Sequence, residues 1–421
     1  MAAATSVIAC CTAFAAATAT AATTRTPVVF FPGYGTTILR VTVHDQRTVK
    51  GCPRTGTYED GIPANVGTTF DQICRDRLIT PRLTPNRRLP FPRRFSLPPG
   101  VSVSIPHYGQ TSSAPVYKGF YQALEAAGYT AGRNLVVAGY DFRLTPDLGG
   151  FLQRTKRLIV RTWRRNHRHP VRLVGHSNGP LYAQYLLTHV SAAWKHKYIQ
   201  GFTDIAGNLP GQGALWTWVF TGVEIPDVFS LPTTVATARS SARLMAMSPA
   251  TWMSASDPAV FGRREVVIKD RATGHRYTPA GTARLLHDAG LDRIKGMVEH
   301  YLGFVRFAAR RYFPDVDVTA EAGSGLPTPV GIVLPNLKRG QVVNAATAKY
   351  IDVPGDSNQE YITNNAVRVW HKMRCYRFRF NDNPGVSHLG LVTDPAVIKR
   401  LLADLARPRA RCAAAGDARP R

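Results

Sequence analysis

Acidic side chains are scarce in this chain. Its 421 residues hold 27 Asp and Glu against 53 Lys and Arg, a formal net charge of +26 at pH 7. Such an imbalance fits either a solvated arginine-rich surface or attraction to anionic lipid headgroups and cell-surface polymers. The interleaved aromatic and basic module of a nucleic-acid binder is missing, so nucleic acid is not an expected partner. No stretch is long and apolar enough to span a bilayer. There is no Walker A loop, no His-Glu-x-x-His and no Cys-x-x-Cys, which leaves no case for a phosphate loop, a zinc protease or a structural zinc. Neither a metal nor a cofactor is expected. Asn-x-Ser/Thr is absent too.

Residues 1–24 are almost wholly Ala, Thr, Val, Ile and Cys, with Ala19-Thr20-Ala21 as a small-residue cleavage candidate. They resemble the apolar and cleavage regions of a secretory signal, although the usual basic start is missing. The mature chain is therefore expected to be secreted or extracytoplasmic. Cys52, Cys74, Cys375 and Cys412 then remain, and an even number in an exported chain suggests disulfides. Cys52 and Cys74 bracket a Gly/Thr/Asp-rich loop and form the preferred pair. Cys412 falls in residues 406–421, which read as a basic, disordered tail.

What is present is an alternation of short apolar runs with helical patterns. Strands are expected at 27–31, 134–138, 171–174 and 198–205, with helices at 117–127 and 152–166 between them. That order marks a parallel α/β sheet, whose first part covers 25–206. Residues 75–115 are rich in Pro and Arg and suit an extended surface excursion. From 207 to 325 the alternation lapses into a mostly helical cap, with Trp216, Trp218, Met245 and Trp252 among its large apolar residues. The sheet is expected to resume at 331–334 and again at 373–380, within a second core segment of 326–405. A helix at 396–405 closes it.

One stretch carries chemistry. Gly175-His176-Ser177-Asn178-Gly179 follows the apolar run Val171, Leu173, Val174 and enters a helical pattern of Leu181, Tyr182, Tyr185 and Leu186. A Gly-x-Ser-x-Gly turn between strand and helix lifts its serine clear of the sheet edge as a nucleophile. The serine needs a base within hydrogen-bond reach, oriented by a third group. In this type of fold the order is Ser, then Asp or Glu, then His. His388, in the loop Pro384-Gly-Val-Ser-His388, is the preferred base, ahead of His371 and His300. Asp356, in Pro354-Gly-Asp356-Ser-Asn, is the preferred acid, with Asp352 and Asp382 as competitors. His176 is too close to the serine to serve it and is expected to pack against the sheet. The oxyanion hole needs backbone N–H groups. Asn178 follows the nucleophile, and Tyr34 lies in the Pro32-Gly33-Tyr34 loop after the first strand.

With these residues in place, the chain from about 27 to 402 resembles the lecithin:cholesterol acyltransferase family. The resemblance rests on Pro27-Val-Val-Phe-Phe-Pro-Gly33, Tyr140-Asp-Phe-Arg143, the Ser177 turn, Gly325-Leu-Pro-Thr-Pro329, Gly355-Asp356 and His388-Leu389. It implies an α/β-hydrolase fold with a helical cap and a disulfide-closed lid at 52–74. It also implies transfer of a fatty acyl group from a glycerophospholipid, through an acyl-serine, to a sterol-like alcohol or to water. Asn178 stands where the family carries an apolar residue, Pro180 where a small one is common, and Phe142 where it carries Trp.

The leading expectation is thus a serine acyltransferase or phospholipase working at a lipid surface, membrane or lipoprotein-like. A lipase or esterase that only hydrolyses is the second. A non-catalytic basic protein that binds lipid surfaces is the third.

Overall fold

Alternation along the first strand sets the layers of the molecule. The computed structural model describes residues 25–60, 71–83, 95–222, 234–337, 342, 343, 345, 348–410 and 412. The expected signal at 1–24, residues 61–70 of the lid loop and the tail from 413 onward lie outside them. Six strands form one sheet: β1 (Val28–Phe31), β2 (Leu135–Val137), β3 (Val171–His176), β4 (Ile199–Ile205), β5 (Asp317–Ser324) and β6 (Phe378–Pro384). Their order is β6-β5-β4-β3-β1-β2, and every neighbouring pair is parallel.

Successive side chains of a strand point to opposite faces. Val28 and Phe30 join Phe120, Tyr121 and Leu124 of helix α1 (Lys118–Ala126) and Val397, Leu401 and Leu405 of the helix Pro395–Ala406. Val29 and Phe31 join the other layer, with Leu158 and Ile159 of α2 (Phe151–Arg165) and Leu181 and Leu186 of α3 (Gly179–Thr188). Both faces are covered, as an all-parallel sheet requires. β1 lies between β2 and β3, so the chain reverses direction across the sheet there. The crevice at the carboxyl ends of such strands is where this architecture binds ligands.

The cap follows β4. Its helices include α4 (Ala214–Thr221), strongly apolar, α5 (Val235–Met247), which buries Ala238, Ala242, Leu244 and Met245, and α6 (Pro249–Ser254), which buries Trp252 and Met253. Trp216 and Trp252 meet edge to face at 5.2 Å between ring centroids. No described helix is long and apolar enough to cross a membrane.

Four expectations need correction. The central sheet resumes at Asp317, inside the stretch expected to be cap. β5 alternates Asp317, Thr319 and Glu321 with small apolar residues, so it looks exposed in sequence. Those polar groups are buried against partners: Asp317 with Arg377, Thr319 with Asp404, and Glu321 with Arg400. The run expected at 331–334 belongs instead to a second sheet, in which Leu326–Leu334 pairs with Ile268–Asp270 and Lys349–Gly355. The Pro/Arg-rich excursion is not all extended. Gln72–Ile79 is a helix capped by Asp71 that buries Cys74, Leu78 and Ile79, and Val101–Ser104 pairs with Leu39–Val43. Finally, Cys412 is not in an unfolded tail. It is joined to Cys375, and the Ala410 N–H donates to Asp317 Oδ2 at 2.9 Å, which pins the segment to the start of β5. Cys52 is joined to Cys74, the pair preferred from the sequence.

Candidate active site

Ser177 sits at the end of β3 with φ of +61°, a left-handed conformation that non-glycine residues adopt only when their surroundings impose it. The surroundings do so here. The Ser177 N–H donates to the Ile205 carbonyl at 3.0 Å, and its own carbonyl accepts from the Asn208 N–H at 3.1 Å. Both flanking glycines are required by space. A β-carbon at Gly175 would lie 2.7 Å from the Pro180 nitrogen, and one at Gly179 would collide with the Phe31 carbonyl.

His388 lies in the loop after β6, and Asp356 directly follows the strand Lys349–Gly355 of the second sheet. His388 Nδ1 lies 2.9 Å from Asp356 Oδ2, and the His388 N–H donates to the Asp356 carbonyl at 2.7 Å. Asp356 is fully buried and held on every side. Its Oδ1 accepts from the N–H groups of Asn358 (3.0 Å) and Gln359 (2.6 Å), and its Oδ2 also accepts from Asn364 Nδ2 (3.2 Å). With Nδ1 engaged, the other ring nitrogen of His388 is buried without a hydrogen-bond partner, and the ring lines the same small cavity as Ser177. The competitors do not converge there: Asp352, Asp382 and His371 are exposed, and His300 packs against Tyr301 and Phe304.

That cavity, about 30 Å³, is bounded on one side by Gly33, Tyr34 and Asn208 and on the other by Leu215 and Trp218 of α4. The Gly33 backbone lies against the serine, since a β-carbon there would sit 3.2 Å from Ser177 Cβ. Among the described residues, the main-chain N–H groups of Tyr34 and Asn178 carry no hydrogen bond. The Tyr140-Asp-Phe-Arg143 motif holds the Tyr34 loop in place. Tyr140 Oη donates to the Pro32 carbonyl at 2.7 Å, and its ring stacks on Tyr182 of α3 at 3.6 Å.

His176 does not simply pack against the sheet. Its Nε2 lies 2.9 Å from the His388 carbonyl, an acceptor only, so Nε2 carries the proton. Burial first, and the nearby His388 second, push its pKa well below the usual 6.5, so the ring is neutral and Nδ1 is an acceptor. Nδ1 then accepts a hydrogen bond from the Tyr117 hydroxyl at 2.8 Å, while the same oxygen accepts from the Gly33 N–H at 2.8 Å. Nothing in the spacing of Tyr117 and His176 announces this bridge, because Gly33, Tyr117, His176 and His388 are brought together only by the sheet.

Comparison with known proteins agrees with this architecture. The family model described as lecithin:cholesterol acyltransferase matches residues 102–324, more than half of the chain. The chain belongs to that family. It is similar to lecithin-cholesterol acyltransferase-like 1 of Oryza sativa subsp. japonica, at 26% identity over 90% of this chain and 86% of the relative. It is also similar to the lysosomal phospholipase A and acyltransferase of Rattus norvegicus, at 25% identity over 74% of each chain. Among solved structures it resembles a chain of the crystal structure of the Tle4–Tli4 complex, with a TM-score of 0.51 and 12% identity over 90% of this chain and 98% of that one. Membership places the chain among lipid acyltransferases and phospholipases.

Proposed function

We propose that the chain is a serine-dependent O-acyltransferase that moves a fatty acyl group from a glycerophospholipid to an alcohol acceptor. One observation carries this reading. The unpartnered His388 nitrogen and the strained Ser177 share a cavity, with Asp356 fixing the other side of the imidazole. In the first half-reaction Ser177 Oγ attacks the ester carbonyl as its proton passes to His388 Nε2. The tetrahedral oxyanion is held by the N–H groups of Tyr34 and Asn178. The carbonyl then re-forms, the lysophospholipid oxygen leaves with the proton from His388, and the acyl group stays on Ser177. In the second half-reaction the acceptor hydroxyl gives its proton to His388 and attacks the acyl-serine. The new ester departs and Ser177 regains its proton.

Transfer rather than hydrolysis requires that water be kept from the acyl-enzyme. The apolar wall of Leu215 and Trp218 beside Ser177 supports that requirement. The disulfide-closed segment at 52–74 is the proposed lid. An anionic lipid surface is the proposed place of work, outside the cytoplasm. The exposed side chains of Arg157, Arg161, Arg164 and Arg165 along α2, unmatched by ion pairs among the described residues, support it.

Product analysis tests the proposal. Phosphatidylcholine vesicles with cholesterol or a long-chain alcohol should yield a new ester, which Ser177→Ala abolishes. Free fatty acid alone, with and without acceptor, would mean a phospholipase. Vesicle binding that survives Ser177→Ala with no turnover in the wild type would mean a binding protein.

A further inference from the structure

The two amides proposed for the oxyanion hole come from segments distant in sequence, the loop after β1 and the turn after β3. Each belongs to a residue whose side chain reaches the same short helix. The Tyr34 hydroxyl lies 2.9 Å from Thr251 Oγ1, and Ser254 Oγ donates to Asn178 Oδ1 at 2.7 Å. Thr251 and Ser254 lie three residues apart on α6, and so on one face of it. Both are fully buried, in a cap otherwise lined by Trp216, Met245, Trp252 and Met253.

Hydroxyls in such surroundings cost free energy unless they are bonded. α6 is itself anchored where it meets the site. The Ala250 N–H donates to the Arg143 carbonyl at 3.3 Å, the Ser254 carbonyl accepts from the Gln212 N–H at 2.9 Å, and Trp252 Nε1 donates to the Ala246 carbonyl at 2.9 Å. A rigid helix thus holds both donor-bearing residues by their side chains, one through each hydroxyl.

We infer that Thr251 and Ser254 are positioning residues that set the separation of the two oxyanion donors. The inference rests on the proposed roles of the Tyr34 and Asn178 amides. Oxyanion donors act only when they lie about 2.7–3.1 Å from the developing charge, and a shift of a fraction of an ångström weakens them. Asn178 stands where an apolar side chain would need no such partner. The Asn178–Ser254 bond turns that position into a link between the nucleophile turn and the cap.

The test is steady-state kinetics on a soluble nitrophenyl ester, with kcat expressed per active site titrated by a fluorophosphonate. Thr251→Val and Ser254→Ala should each lower kcat per titrated site by about 10–100-fold, leaving KM within about twofold. Thr251→Ser, which keeps the hydroxyl, should restore kcat to within about threefold of wild type. A purely structural role would lower the titre or the melting temperature and leave kcat per site unchanged, and that result overturns the inference. Tyr34→Phe removes the same bond from its other end. It should match Thr251→Val, and combining the two should bring no further loss; full multiplication of the two effects would contradict the link. A wild-type chain that takes up no probe on Ser177 contradicts the serine-enzyme reading itself, and the inference with it. Labelled wild type with unaffected variants sinks the inference alone.

Discussion

The Nε2–H of His176 donates to the main-chain carbonyl of His388 at 2.9 Å, which ties the residue before the proposed nucleophile to the proposed base. Through Tyr117 the same ring reaches the Gly33 N–H, next to the proposed oxyanion donor at Tyr34. Three loops from different strands therefore share one buried, neutral imidazole. The consequence is that the proposed base and the proposed oxyanion loop are set relative to each other as well as to Ser177.

Tyr117→Phe removes one oxygen and two hydrogen bonds, leaving the Gly33 N–H and His176 Nδ1 buried without partners. An orphaned buried group costs about 1–3 kcal/mol. If the strain is relieved by movement of the Gly33–Tyr34 loop, kcat should fall by about 10–100-fold while KM changes little. Kinetics on a soluble ester check this; an unchanged kcat would mean that the loop is held by other contacts.

Glu265 and Glu360 form a buried carboxyl pair beside the cap. Burial first, and the neighbouring charge of Glu360 second, raise the pKa of Glu265; burial also raises that of Glu360. Glu360 Oε1 accepts from the Gly213 N–H at 2.9 Å, at the start of the helix that carries Leu215 and Trp218. A carboxyl with a raised folded pKa stabilises the fold fully below its unfolded value, here 4.5. That stability is lost as the pH climbs through the raised value, about 9 for Glu265. The melting temperature should decline over this window, and Glu265→Gln should flatten the decline. A melting temperature that rises from pH 5 to 8 in the wild type would contradict the pairing.

At the other end of β3, Arg172 is 2% exposed and paired with Asp404 at 3.1 Å. Burial lowers the Arg172 pKa to about 10, and Asp404 opposes that shift. Thr203 and Gln200 take two more of its N–H groups. Asp404→Ala would leave a buried guanidinium without its counter-charge, at a cost of about 3–5 kcal/mol. Urea unfolding should register that loss. Arg172 lies five residues before Ser177 in sequence, about 16 Å along an extended strand. Activity per folded molecule should therefore persist.

Much of this arrangement was legible beforehand. Val171, Leu173 and Val174 before the Gly175–Gly179 turn mark a buried strand feeding a helix, because sterics leave few other uses for that pattern. Asp356 and His388 could be singled out by chain order and by their loops; the structure places the His388 ring on the cavity that Ser177 lines, with Asp356 2.9 Å behind it. β5 was not legible, since its buried Asp317, Thr319 and Glu321 are neutralised by residues distant in sequence. The parts played by Tyr117, His176, Thr251 and Ser254 were hidden for the same reason. A buried hydroxyl or imidazole has no periodicity, and its meaning lies in a partner that only the tertiary fold supplies. Cys412 misled because a basic, Ala-rich tail gives no sign of the bonds that hold its first residues to the sheet edge.

Trapping the acyl-enzyme is the decisive experiment for a covalent Ser177 intermediate. The protein is incubated with acyl-labelled phosphatidylcholine vesicles without acceptor, quenched in acid and digested, and the peptide containing Ser177 is weighed. One fatty acyl group is expected on Ser177, discharged to a new ester when an alcohol acceptor is added before the quench. An unmodified Ser177 peptide, together with product formation that survives Ser177→Ala, would contradict it.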